Sequence, residues 1–484
     1  MGLGVLIQIT QNNNQRSSYI IGKNPDISYF RFVYRTHTNF AMQTIKLTFN
    51  NIPALTNDST NKFRCPLNTN NADMITDLYF RYQIPDIYST DKYKFRWIPN
   101  FGTLLIKKAE LWLNNTIIDS ITGEWMVISN ELTELTKDNY NKITGNLASL
   151  TNPKMDLPVI TINNNRYKNA YPIGNKNENI PSIKGREIIV PLTFNFTKNP
   201  NLGLLLTNIT INDGATNNLY VEITLENIEN LYQIYSSDLN LYVSPSYYNE
   251  LYPNENISFD TFVKTKELNS YIEANYIYLD NDERINLMGT PIVDVIIEQI
   301  FMSSDYSLVS GNNLLNSIEL MKCNNHIKEI IWTIKRNDYN KFNSQCNYTN
   351  SIPENNDDSI MNKARIVYNR TTDRVDENNA NFFNIIQPYK HHTSIPKGGI
   401  YCYSYALFPE KSQPSGSIDC GNIRTSLDIF TNNTNNSDIN TKLIKIGKKP
   451  YDYGYTLNYY IRSLNILRYA NTGGNKNAYF VYGQ

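Results

Sequence analysis

An all-β chain of two domains is the expectation, and three observations carry it. Residues 398–417 alternate with period two. Ile400, Cys402, Ser404, Ala406 and Phe408 fall on one face and Tyr401, Tyr403, Tyr405 and Leu407 on the other, the pattern of a strand covered on both sides. The 36 tyrosines favour strands, the abundant asparagines favour turns, and charged residues are only 19% of the chain. At 484 residues the chain exceeds the length at which a single core stops growing, roughly 250–300 residues. Two packed sheets per half is the natural solution for such strands, so each half is expected to be a sandwich or a jelly roll.

Charge and cysteine usage exclude several function classes. The 45 basic and 45 acidic residues cancel, which argues against an electrostatic grip on nucleic acid. The cysteines, Cys65, Cys323, Cys346, Cys402 and Cys420, are odd in number and form no C-x-x-C pair. A disulfide framework or zinc site is therefore not expected, and a reducing compartment is. The start, Met1 to Gln8, is apolar but lacks a basic region and a cleavage site, and it is too short to span a bilayer.

In chain order, residues 1–27 read as an extended arm. Tyr29–Tyr34 and Thr44–Phe49 read as the first strand pair, and Phe101–Leu113 as a strand with a kink. Asn114-Asn115 reads as a tight turn before a return strand from Thr116. Trp125, Ile128, Leu132 and Leu135 recur at helical spacing, which predicts a short helix over 123–136. Residues 137–185 read as a polar excursion. Strands follow at Glu187–Leu192, Leu204–Ile211 and Tyr220–Glu226, the last with Val221, Ile223 and Leu225 inward and Glu222, Thr224 and Glu226 outward. The patterning breaks at 235–245, which sets domains of 28–238 and 239–484.

The second half opens with the strand Asn275–Asp280. Asp280 and Glu283 then suggest a capping box for a helix over 281–289. Strands are expected at Val293–Phe301, His326–Ile334, the stretch from Ile400, Asp419–Ile429, Tyr455–Leu467 and Ala478–Tyr482. Residues 335–380 read as a long Asn-rich loop and 432–440 as a polar Asn tract. Pro409 ends the strand from Ile400, and Pro414-Ser415-Gly416 supplies turn chemistry.

No catalytic constellation stands out. His391-His392 is the one local histidine pair, and on a strand its side chains would point to opposite faces, so packing is the better reading than metal binding. Asp280, Asp282 and Glu283 lack the EF-hand spacing and central glycine, which leaves capping. Nucleotide-binding glycine loops and a nucleophile elbow are absent from the sequence. Lys322, Lys328, Lys335 and Arg336 read as a solvated surface. Tyrosine-rich strands could stack sugars, as lectin jelly rolls do, but packing is the commoner use of Tyr. No cofactor and no enzymatic activity are expected.

A set of segments in order along nearly the whole chain then resembles one family. These are Gly22–Phe30 with Tyr34–Met42, which includes Asn39 and Phe40; Ile117–Asp119 with Gly123–Met126, which includes Trp125; and Tyr276–Arg284 with Ile297–Gln299, which includes Asp280, Asp282, Glu283 and Arg284. His326–Trp332, with Trp332, follows. The densest block is Gln387–Thr393, Gly399–Tyr401, Tyr403–Leu407 and Gln413–Gly416, which holds Gln387, Pro388, His391, His392, Gly399, Tyr401, Pro414, Ser415 and Gly416. Asn465–Arg468 ends the series. The chain resembles the double jelly-roll major capsid proteins of nucleocytoplasmic large DNA viruses, of the iridovirus and chlorella-virus type.

The resemblance implies two tandem eight-stranded antiparallel jelly rolls with short helices and long loop insertions. It implies a virion shell protein, assembled in the host cytoplasm, whose partners are further copies of itself in trimers of pseudo-sixfold outline, together with minor capsid and penton proteins. The arm 1–27 would run beneath the capsomer towards minor capsid proteins or an inner membrane layer. The quoted residues would be structural. The alternatives are a minor capsid paralogue, a carbohydrate-binding jelly roll and, last, a cupin-type metalloenzyme, for which the four histidines are badly spaced.

Overall fold

In the computed structural model, residues 28–481 are described, apart from 33, 59–61, 68–71, 114–115, 135, 154–160, 163–164, 167–170, 207–218, 321–325, 370–371, 422 and 473–474. The arm 1–27, the Asn114-Asn115 turn and Cys323 lie outside the described residues. The chain divides into two compact units, Met1–Phe40 and Ala41–Gln484. In the first unit the expected strand Tyr29–Tyr34 does not form among the described residues. A turn occupies 29–31, and Tyr29 and Phe30 are 91% and 101% exposed. Aromatic β-propensity alone does not make a strand; a ladder partner does.

In the second unit, two bodies repeat one strand order. The first half has eight principal strands: Phe40–Thr48, Lys62–Pro66, Met74–Gln83, Ile106–Leu113, Thr116–Thr122, Glu187–Pro191, Leu219–Leu225 and Ser270–Leu279. Numbered one to eight, they form a sheet of order 1-8-3-6 and a sheet of order 2-7-4-5. The second half has Ile292–Leu308, Leu314–Glu319, His326–Arg336, Met361–Tyr368, Thr372–Asn379, Ile400–Ser404, Thr425–Thr431 and Tyr455–Thr472, in the same two orders. The described pairs are antiparallel. Both halves are jelly rolls.

The eighth strand of the first roll, Ser270–Leu279, pairs along Met74–Gln83, from Ser270 against Tyr82 to Ile277 against Met74. The first roll therefore draws chain from beyond the 238/239 break in the sequence pattern. A break in local patterning marks a loop, and sheet membership is set by a pairing some 200 residues away in sequence.

Three further expectations change. Residues 335–380 contain the strands Met361–Tyr368 and Thr372–Asn379, because Met361, Ala364 and Ile366 are buried against Leu427 and Ile429 despite the Asn-rich surroundings. Phe101–Leu113 is a helical turn, Phe101–Leu104, followed by the strand Ile106–Leu113. The Asn tract at 432–440 leads into a helix, Ser437–Lys445, whose Ile439 and Leu443 are buried.

The strand His326–Arg336 explains how the rolls meet. Every residue after His326 is buried. Ile330, Trp332 and Ile334 pack into the second roll's own core with Leu457, Tyr459 and Ile461. Ile331, with Ile400, Cys402 and Tyr460, belongs instead to the apolar cluster that fills the first roll. One face of this sheet lines its own sandwich, and the other is a seam against the first roll.

Candidate functional site

The seam is where the chemistry-bearing residues collect. On the first-roll side stands the helix Gly123–Thr133. Thr122 caps it, its Oγ1 accepting from the Trp125 N–H at 3.2 Å. Gly123 is required there, since a Cβ would lie 2.4 Å from the Ile106 carbonyl oxygen. The helix turns Trp125 onto the ring of Tyr460, 5.1 Å between centroids, and Trp125 is buried. Glu124 beside it pairs with Lys335 at 2.8 Å and accepts from the Tyr348 hydroxyl at 3.3 Å.

Next to this apolar contact lies a buried charge network. Glu298 accepts from Arg462 Nε at 2.7 Å and Nη2 at 2.9 Å, from Lys328 at 3.0 Å, and from Lys198 of the first roll at 2.7 Å. Its backbone N–H donates to Asn195 Oδ1 at 2.9 Å, and the Asn195 N–H donates to Asp119 Oδ2 at 2.6 Å. Arg462 also bonds Glu329 and the Pro409 carbonyl. Lys328, Lys335 and Arg336, read from sequence as solvated, are buried; Arg336 pairs with Asp338. The counter-charges of Lys328 and Lys335, Glu298 and Glu124, come from another strand and from the first roll's helix, so local composition could not reveal them.

His392 completes the network. Its side chain is fully buried between two carboxylates, with Nε2 2.9 Å from Glu329 Oε2 and Nδ1 3.0 Å from Glu410 Oε1. The Glu329 contact is a charge pair and not an aligned hydrogen bond. Burial opposes charge on His392, but Glu329 outweighs it, with bonds to Cys402 and Glu410 assisting, and lifts the imidazolium pKa to about 12. Burial likewise opposes the Glu329 charge; Arg462 and His392 outweigh it and draw the carboxyl down to about 2. Glu298 is held well below the usual carboxylate range against its burial, chiefly by Arg462 and Lys198. Burial raises the Asp119 carboxyl to about 6.

The Gln387–Gly416 block builds the floor of this network. It begins with Gln387–His391, the end of a helical segment that starts at Phe382, with Gln387 and Pro388 buried, and Gln387 Oε1 accepts from the Ser404 N–H at 3.3 Å. This helix places His391 and His392 at its end, His391 Nδ1 lying 3.2 Å from the Leu407 carbonyl. The strand Ile400–Ser404 is shorter than the period-two run. Beyond it Leu407 and Phe408 are exposed. The loop closes where Ser415 Oγ accepts from the Phe408 N–H at 2.9 Å, between Pro414 and Gly416, which has φ +131°. Gly399 has φ +86°, and a Cβ there would lie 2.2 Å from the Tyr348 carbonyl oxygen. Tyr401 stacks on Trp332, 5.9 Å between centroids, and its hydroxyl is 2.7 Å from Ser359 Oγ.

The remaining segments sit elsewhere. Asp280 caps the helix Asn281–Gly289 through the Asn281 N–H at 2.8 Å, not through the Glu283 N–H that a capping box uses. Asp282 is exposed and Glu283 is half-buried. Arg284 grips buried Asp73 of the first roll with two bonds of 2.8 and 2.9 Å. Asn39 and Phe40 are exposed. Glu222, read as outward, is buried beneath Lys62 and Arg64, which pair with it at 2.7 and 2.8 Å. Among the described residues no group of three or more His, Cys, Asp and Glu is placed to hold a metal ion. The described cysteines Cys65, Cys346, Cys402 and Cys420 are free and buried.

Two adjoining family models match the chain. Residues 28–280 match the "Major capsid protein N-terminus" and residues 283–474 match "Large eukaryotic DNA virus major capsid protein". The chain belongs to that capsid protein family. The capsid protein is 27% identical to "Probable capsid protein 4" of Acanthamoeba polyphaga mimivirus, over 97% of its own length and 98% of the relative's. It is 25% identical to the "Major capsid protein" of Phaeocystis pouchetii virus, over 97% and 100%. It shares its fold with VP54 of PBCV-1 at a TM-score of 0.65 and 19% identity, covering 94% of this chain and 100% of that one. The capsid protein is thus a double jelly roll and a structural component of the virion shell. The boundary of the two family models falls at the end of the strand Ser270–Leu279, where the first roll closes.

Proposed function

We propose that this chain builds its capsid as homotrimers of pseudo-hexagonal outline that tile an icosahedral shell, without catalysis. One observation carries the reading: a single compact unit holds two jelly rolls of identical strand order. Three such chains present six similar bodies, and closed rings satisfy interfaces that a lone chain leaves open. The residues of the family-like segments serve structural roles, Trp125, Trp332, Gln387, Pro388, His392 and Tyr401 among them at the seam and in the roll cores. The first domain ends near residue 280, the assembled chain meets minor capsid and penton proteins, and the arm 1–27 reaches minor capsid proteins or an inner membrane layer. Assembly takes place in the host cytoplasm.

The native mass by light scattering after size exclusion tests this. One chain is 55.9 kDa, so the trimer is expected at about three times that value. A mass that stays at one chain at all concentrations overturns it. A second reading is a minor capsid component of the same fold, since the mimivirus relative is named a capsid protein without the word major. Copy number in purified virions separates the two.

A further inference from the structure

A second set of polar groups collects around a cavity of about 250 Å3 between the two halves of the unit Ala41–Gln484. On the first-half side stands a short antiparallel sheet of Phe95–Trp97, Tyr232–Ser236 and Leu241–Val243. Period-two alternation sends Phe95, Trp97 and Tyr232 into the apolar core, with the Phe95 and Tyr232 rings stacked 4.9 Å apart. The opposite face carries Arg96, directly across from Gln233, and Tyr242, and these line the cavity. On the second-half side the lining includes Asn343, which follows the helical turn Tyr339–Phe342, and Lys397. Exposed Pro99, Pro353 and Glu354 in the lining open it to solvent.

The charges around this cavity do not balance. The Arg96 guanidinium lies 3.7 Å from the centroid of the Tyr242 ring, and its Nε donates to Gln233 Oε1 at 2.5 Å. Both partners are neutral. Burial pulls the Arg96 pKa down to about 10, and no carboxylate among the described residues opposes that fall. A guanidinium stays protonated, and a desolvated charge is normally paired. The Tyr242 hydroxyl is buried and has no partner among the described residues. Asn343 is 1% exposed, and its Nδ2 donates to the Glu229 and Tyr232 carbonyls at 2.6 and 2.7 Å. Those two bonds fix the amide, and they leave Asn343 Oδ1 buried without a partner. Lys397 pairs with Glu354 at 2.9 Å and donates to the Cys346 carbonyl at 2.6 Å. Two cations, Arg96 and Lys397, against one carboxylate, Glu354, leave the lining one positive charge in excess.

We propose that this cavity binds inorganic phosphate between the two halves of the chain. The free edge of the Arg96 guanidinium, the Lys397 ammonium and the Tyr242 hydroxyl donate to its charged oxygens, and Asn343 Oδ1 accepts from its remaining P–OH. The volume is below the roughly 300–1,000 Å3 of sites for drug-sized ligands, so a small oxyanion suits it. The unpartnered acceptor selects among oxyanions. Monohydrogen phosphate keeps a hydroxyl at neutral pH, whereas sulfate has none and a phosphate monoester has largely lost its own. The ion ties Arg96 and Tyr242 of the first half to Asn343 and Lys397 of the second, so it stabilises the folded chain. The site lies within one chain and does not depend on the assembly proposed above.

Thermal melting of the full chain in phosphate-free buffer tests this as orthophosphate is added, with ionic strength held constant by chloride. Calorimetric titration gives the dissociation constant. The wild-type melting temperature is expected to climb with phosphate. Arg96→Met is expected to melt close to the wild type without phosphate and to lose the climb. Tyr242→Phe removes one hydroxyl, and it is expected to stay folded and bind about tenfold more weakly. Sulfate and phosphoserine are expected to bind more weakly than orthophosphate, also by about tenfold. A wild type that responds to phosphate no more than to chloride overturns the site, as does an undiminished response in folded Arg96→Met or Tyr242→Phe. Sulfate that binds as tightly as phosphate overturns the role of Asn343. Phosphoserine that binds as tightly overturns the free ion as the source and assigns the site to the phosphoryl end of a larger molecule.

Discussion

His392 Nε2 lies 2.9 Å from Glu329 Oε2, and both side chains are fully buried. The histidine comes from the end of a helix and the glutamate from the third strand of the second roll, 63 residues apart in sequence as 392 minus 329. Glu329 also holds Arg462, so the pair ties helix, third strand and eighth strand together at the seam. A buried pair of this kind is costly to break because one partner's removal strands the other's charge.

The pair sets a pH signature. His392 has its folded pKa raised from 6.5 to about 12, so its contribution is full below 6.5 and is lost as pH rises towards 12. Glu329 is lowered from 4.5 to about 2, so its contribution is full above 4.5 and is lost as pH falls towards 2. Melting temperature against pH is expected to be highest between about 4.5 and 6.5 for this pair and to decline on the alkaline side. His392→Gln is expected to cost about 3–5 kcal/mol near neutral pH and to flatten that alkaline decline. An unchanged alkaline slope in the variant would remove His392 as its source.

Two arginines on one strand are expected to behave differently. Arg462 is buried and bonds two glutamates, so Arg462→Met is expected to cost about 3–5 kcal/mol in denaturant unfolding. Arg468 pairs with Asp294 in the open, and Arg468→Ala is expected to leave the unfolding midpoint nearly unchanged. Similar losses for the two substitutions would contradict the burial argument.

Gly399→Ala combines a left-handed backbone with a contact that cannot form. The conformation alone costs about 1–3 kcal/mol, and the Tyr348 carbonyl adds a clash that only backbone movement relieves. Loss of soluble yield or a large drop in melting temperature is expected. A variant that melts with the wild type would show that the 348–399 contact gives way easily.

Trp125→Ala empties the apolar part of the seam and is expected to cost about 3–5 kcal/mol. Amide exchange should rise first in the helix Gly123–Thr133 and around Tyr460, ahead of the roll cores. Exchange that rises uniformly through the first roll would instead place Trp125 in the general core.

Much of the fold was legible because strand alternation is local. The runs at Glu187–Leu192, His326–Ile334 and Tyr455–Leu467, and the helix over 281–289, need only neighbouring residues to be recognised. The strand Met361–Tyr368 was hidden by its Asn-rich setting, and Tyr29–Tyr34 had the right residues but pairs with no strand among the described residues. The block Gln387–Gly416 stood out in the sequence, but the carboxylates that surround His392 did not.

The amino-acid order on its own thus established an all-β chain, its family resemblance, the balance of its charges, and most strand positions, because each follows from composition, short motifs or short-range periodicity. Folding in three dimensions settled which sheet Ser270–Leu279 joins, which face of His326–Arg336 meets the first roll, and that Lys328, Lys335, Arg336 and Glu222 are buried. The reason is physical. Period-two patterning distinguishes the two faces of a strand, whereas what covers a face comes from chain far away in sequence. A lysine on a covered face and one in water look the same until the partner, such as Glu298 for Lys328, is in place.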